Sequence, residues 1–115
     1  MRRYRFVSYA VGSGLALLLA MNAASAQDPI QIELTLKDHR YDPSEIRIPA
    51  NTSAVINLHN LDPTAEEFDS DALTIEKVIA GGRSGIVRIR PLDKGRYPFI
   101  GEYHSDTAQG VIIVE

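Results

Sequence analysis

The chain has 115 residues, no cysteine and a formal net charge of −3. That length suits one small domain with a single modest core. Without cysteine it has neither disulfides nor thiolate ligands, and an acidic balance with no basic cluster excludes nucleic acid and suits cations.

Residues 1–26 read as a secretory signal peptide. A basic MRRYR precedes the apolar FVSYAVGSGLALLLAM, and Ala24-Ser25-Ala26 supplies a small-x-small cleavage site. Gly12, Gly14 and the short apolar run argue against an uncleaved membrane anchor. The mature chain is expected to start at Gln27, exported to a bacterial periplasm and with no stable membrane insertion after cleavage. The segment takes three of the twelve basic residues and none of the fifteen acidic ones, so residues 27–115 carry a net charge of −6. It also takes both methionines, Met1 and Met21, which leaves residues 27–115 without sulfur.

The rest reads as β throughout. Ile32, Leu34 and Leu36 alternate with polar residues, as in a half-buried strand. Glu45 to Ile48 alternates as well, and Pro49 to Thr52 closes it with a turn; Asn51-Thr-Ser is taken as part of that turn. Val55, Ile56 and Leu58 follow, then Leu73 to Ile79 and Ile86 to Ile89, with Gly81-Gly82 between them as a hairpin turn. Tyr97 to Ile100 and Val111 to Val114 end the chain. Further turn signals stand at Asp42-Pro43, Asp62-Pro63, Asp93-Lys94-Gly95 and Gly110. The spacing predicts a Greek-key β-sandwich or barrel of about seven or eight strands. Asn60 to Asp71 is the one long irregular stretch, and it is acidic.

Candidate chemistry gathers in Glu66, Glu67, Asp69, Glu102 and His104. Glu102 and His104 would share a face of an extended segment, though not of a loop. If Phe68 packs inward, so does Glu66, and an inward carboxylate needs a proton, a base or a metal. The plain alternative is a set of solvated loop acids with a hydrogen-bonding His104. His39 and His59 are taken as surface or hydrogen-bonding histidines. No Ser-His-Asp motif, phosphate loop or His-Glu-x-x-His appears.

From Tyr41 to Glu115 the chain resembles the cupredoxin family. Tyr41-Asp-Pro43, Glu45 to Ile48 and Val55 to Asn60 look like its opening half. Gly95-Arg-Tyr97-Pro-Phe99, His104, Gly110 and Val111 to Val114 look like its closing half. In that family copper is held by a first His, a Cys, a second His and usually a Met. Here the first place falls on Glu66, the Cys place on Gly101 and the Met place near Thr107 or Ala108; only His104 matches. Type 1 blue copper, which rests on a Cu–thiolate bond, is therefore excluded. The carboxylates convert a soft site into a hard O/N one, suited to iron, manganese or copper(II).

Glu66-Glu67-Phe68-Asp-Ser70, Leu73 with Glu76-Lys77, and Gly101-Glu-Tyr-His104 resemble the cupredoxin-like accessory proteins of bacterial ferrous iron uptake. The resemblance implies a periplasmic metal-binding protein that works beside an inner-membrane iron permease and its associated uptake proteins. The expected metal is iron, with copper second. The expected ligands are Glu66, Glu102 and His104, with Glu67, Asp69 and Glu76 as second choices or as an acidic entry path. The alternatives are a copper(II)-binding periplasmic protein and a metal-free module that docks a partner. No enzymatic activity is assigned, since oxidation of iron would need a partner to accept electrons.

Overall fold

The computed structural model describes residues 27–115. The expected signal peptide lies outside the described residues. Within them, no helix is long and apolar enough to cross a membrane.

Nine strands run in chain order: β1 Ile30–Lys37, β2 Arg40–Asp42, β3 Glu45–Ile48, β4 Ala54–Asn60, β5 Glu66–Ser70, β6 Ile75–Ile79, β7 Ser84–Ile89, β8 Gly95–Gly101 and β9 Gln109–Val114. They form two mixed sheets, ordered β2-β1-β4-β7 and β3-β9-β8-β5-β6. The pairs β1–β4 and β3–β9 are parallel, and the other ladders are antiparallel. The sheets stay open, so the fold is a sandwich and not a closed barrel.

Alternation builds the core. Leu34, Leu36, Ile56, Leu58, Val87 and Ile89 point inward from one sheet; Ile46, Ile48, Phe68, Phe99, Ile112 and Val114 answer from the other. Phe68 and Phe99 stack at 4.9 Å, and Tyr41 meets Phe99 edge-on at 5.1 Å. Such offset and edge contacts suit the ring quadrupoles.

Three expectations need correction. The irregular acidic stretch contains a strand, β5, whose inward side is Glu66, Phe68 and Ser70. Its outward acids hide the alternation, because polar residues occupy both faces. Leu73 is buried, but it sits in the turn before β6 and not in a strand. Gly81-Gly82 is no hairpin turn, since β6 and β7 belong to different sheets and the turn carries the chain between them. Gly82 takes a left-handed φ of 68°, and a Cβ on Gly81 would lie 2.2 Å from the Pro63 carbonyl oxygen. Gly81 therefore lets this turn press against the β4–β5 loop, and Gly82 lets it take its left-handed bend.

Candidate metal centre

Three connections meet at one end of the sandwich: the β1–β2 hairpin, the β4–β5 loop leading into Glu66, and the β8–β9 loop. The last opens with a 3-10 turn over Glu102–His104. Its carbonyl at His104 accepts the Ala108 N–H at 2.9 Å, and Gly101 N–H donates to Ala108 O at 2.8 Å, which closes the loop on itself.

Glu66 lies at the bottom, 1% exposed. Its Oε1 accepts the Tyr103 N–H at 2.8 Å and the Glu67 N–H at 3.0 Å. Its Oε2 lies 2.7 Å from His104 Nδ1. Every side of this buried carboxylate thus meets a donor, which is what offsets its desolvation. Its charge also acts on Tyr41: burial, and then the Glu66 carboxylate, push that phenol well above its usual range.

The place of the family's cysteine is closed. A Cβ on Gly101 would stand 2.6 Å from Glu66 Cδ and 2.7 Å from Ala108 Cβ. The ladder sets Gly101 opposite Phe68, so the Glu66 carboxyl occupies the room a thiolate would need.

His39 completes the group. Ligand atoms of His39, Glu66 and His104 all lie within 4.8 Å of one another. The rings of His39 and His104 stack, with centroids 3.6 Å apart and planes 10° from parallel. His39 was expected as a surface or hydrogen-bonding histidine; its side chain is 41% exposed, yet its Nδ1 is buried and makes no hydrogen bond among the described residues. Two imidazoles converging on a buried carboxylate make a donor set suited to a metal ion. Lone pairs lie in the ring planes, so two parallel rings cannot aim at one ion; binding takes rotation of one imidazole. His39 is the more exposed ring, at 41% against 31%, and unlike His104 it is not hydrogen-bonded to Glu66.

The other expected ligands lie apart from this group. In a 3-10 turn, residues two apart point in different directions, so His104 faces Glu66 while Glu102 is exposed. Glu102 borders an open groove with Asp69, Asp71 and Phe99. Glu67 and Asp69 point outward from β5, and Glu76 pairs with Asp69 across the β5–β6 ladder. Burial, followed by the charges of Glu76, Asp69, Glu102 and Glu66, raises the Glu67 carboxyl above its ordinary range. These acids form a negative surface beside the buried site.

Asp62 was read only as part of a turn, and it is 6% exposed. Burial would raise its carboxyl, but the backbone N–H groups of His39 and Asp38 and the nearby imidazoles outweigh that and hold it below the ordinary range. His59 bridges Ser84 Oγ and Glu33 Oε1, each at 2.7 Å, on the exposed side of the other sheet. That is a surface hydrogen-bond chain away from the metal-capable group.

Residues 10–114 match the family described as Cupredoxin-like domain. The chain belongs to that family. It is also similar to an uncharacterized protein of Rickettsia prowazekii (strain Madrid E), with 39% identity over 85 residues, 74% of this chain and 68% of the relative. Among solved structures, it is similar to the metal-binding domain of the Streptococcus pneumoniae D39 Cu(I)-exporting P-type ATPase CopA, solved with Cu(I). The TM-score there is 0.68 at 22% identity, covering 80% of this chain and 92% of that one. Auracyanin A, a blue copper protein of Chloroflexus aurantiacus, matches with a TM-score of 0.64 at 15% identity, covering 76% and 100%. At these identities the structures establish the cupredoxin-like fold. Their names speak of copper or leave function open, so the resemblance to an iron-uptake subgroup finds no counterpart among them.

Proposed function

We propose that this member of the cupredoxin-like family is an exported, periplasmic metal-binding protein that holds a divalent transition ion between His39, Glu66 and His104. The observation behind it is the convergence of two imidazoles and one buried carboxylate within 4.8 Å, drawn from the β1–β2 hairpin, the start of β5 and the β8–β9 loop. Two histidines and a carboxylate form a donor set used for iron(II) and for zinc. When bound, the ion would supply positive charge to a site built around a buried anion. Glu66 is already oriented by two backbone N–H groups, and His104 is held against it. His39 is the arm that closes.

Iron(II) is the preferred cargo, handed to an inner-membrane permease and its associated uptake proteins. That choice is supported by the likeness in sequence to accessory proteins of ferrous iron uptake and by the donor set. Copper(II) is the second reading. It is supported by the copper proteins that share the fold and by the affinity order of divalent ions, in which copper(II) stands highest.

Metal competition decides between them. Purified protein is offered iron(II) without oxygen, copper(II), zinc(II) and manganese(II) separately, and its thermal midpoint is followed. An ion at a hundredfold excess over its Kd stabilises the folded state by about 2.7 kcal/mol. At about 4–8 °C per kcal/mol for a domain this small, the midpoint rises by about 10 °C or more. Competition then ranks iron against copper. If no ion moves the midpoint, the site reading is lost and a metal-free docking module takes its place.

A further inference from the structure

We propose that Asp62 is the positioning residue for His39, holding its backbone in place and fixing which nitrogen it offers to the metal; this rests on the site described above. Asp38 and His39 form the two-residue turn between β1 and β2, with φ of 52° and 58°. Such turns normally take glycine or asparagine, because a left-handed residue with a Cβ costs about 1–2 kcal/mol. Asp38 is a usual first residue of such a turn, but His39 stands where glycine is the usual second residue, so a contact that holds His39 there matters.

Asp62 holds it. Its Oδ1 accepts the Asp38 N–H at 2.7 Å and its Oδ2 accepts the His39 N–H at 2.9 Å. Asp62 is itself anchored. Its N–H donates to Asn60 Oδ1 at 3.0 Å, and its carbonyl accepts the Gly82 N–H at 2.9 Å. The buried Asn60 amide donates to Thr64 O at 2.8 Å and to Ile79 O at 3.2 Å. The strained hairpin is therefore tied through one carboxylate to the rigid end of β4 and to the turn between the sheets.

The same Oδ2 lies 3.3 Å from His39 Nδ1, too poorly aligned for a hydrogen bond, and Nδ1 has no other partner. A carboxylate at that distance favours the proton on Nδ1. The lone pair is then left on Nε2, as in the carboxylate–histidine–metal pairs that fix ligand tautomers. His104 Nδ1 also faces a carboxylate, Glu66 Oε2 at 2.7 Å, but that carboxylate is itself one of the proposed ligands. Asp62 touches no metal in this scheme, and it acts through His39.

The test combines nitrogen NMR of the histidine rings in metal-free protein with titration by zinc(II), which is diamagnetic. Wild type should show His39 protonated on Nδ1, and Asp62→Asn should shift it toward the Nε2–H form. Asp62→Asn should weaken zinc binding about 10–100-fold. In a His39→Ala background the same change should cost less than about twofold, since the two residues act as one unit. Nε2–H at His39 in wild type overturns the proposal and needs no variant. So does zinc affinity unchanged by Asp62→Asn, or a loss of equal size with and without His39. If wild type binds no zinc(II) or other ion, the metal site fails instead, and the tautomer measurement still decides the role of Asp62.

Discussion

Glu66 and Glu67 are neighbours on β5, and the fold treats them in opposite ways. Glu66 points into the sandwich, 1% exposed, with donors on both oxygens. Glu67 points out toward Asp69, Glu76 and Glu102, whose charges add to burial in raising its carboxyl. One residue of register separates a carboxylate that the protein has organised from one that it crowds with like charge. Acidic residues on one strand are thus not interchangeable, and their number says little about where an ion would sit.

The largest expected contrast is in metal affinity. Glu66→Gln and His104→Ala each remove a donor from the converging group and should weaken binding by more than about a hundredfold, beyond the 10–100-fold typical of residues that only support a ligand. Glu102→Gln changes an exposed side chain outside the group and should cost less than about threefold at 0.15 M salt. Titration of the three variants with one ion checks this. A larger loss for Glu102 than for Glu66 would move the site to the outer face.

The next contrast is in stability without metal. Carboxylates crowded in an empty site would gain from neutralisation, but Glu66 and Glu102 do not share one. In Glu66→Gln the amide oxygen can keep the two backbone N–H groups, but as a neutral acceptor, and the amide nitrogen can face His104 Nδ1 only if that imidazole moves its proton to Nε2. The cost is about 1–3 kcal/mol, or roughly 5–20 °C in the midpoint. Gly101→Cys restores the residue that the wider family uses, yet its Cβ would collide with the same carboxyl and with Ala108. Overpacking of this kind costs about 1–3 kcal/mol. With copper(II) the variant should stay pale, because Glu66 fills the space where the thiolate would reach the ion. An intense blue colour would show that Glu66 can leave.

How much of this the sequence disclosed depends on the residue. Glu45 to Ile48 and Val111 to Val114 announce their strands because their inward residues are aliphatic and their partners lie in regular ladders. Glu66 could be reached from Phe68, since a period of two carries one inward residue to the next. His39 could not be reached. Its place follows from a left-handed Asp-His turn, which lacks the usual glycine, held by a carboxylate 23 residues downstream. The hairpin is local, but the contact that brings its histidine to Glu66 is not. Glu102 shows the reverse: it is close to His104 along the chain, but the 3-10 turn that holds both points their side chains in different directions.

The smallest effect tests the crowded side of the comparison. Glu67 has its folded-state pKa raised above the unfolded value of about 4.3. Below that unfolded value it is protonated in both states, and it costs the fold nothing. As pH rises through the folded-state pKa the native chain must give up a proton that it holds more tightly than the unfolded chain does, so stability is lost. Above it the penalty is complete. Glu67→Gln cannot ionise, and it should melt slightly higher than wild type at pH 7 and level with it near pH 4. Salt screens exposed charges, so the gain at pH 7 should shrink between about 0.05 and 0.5 M. The same substitution at Glu66 should lower the midpoint at pH 7. If instead both substitutions raised it, the donors assigned to Glu66 would not be holding a charge, and the two faces of β5 would be alike.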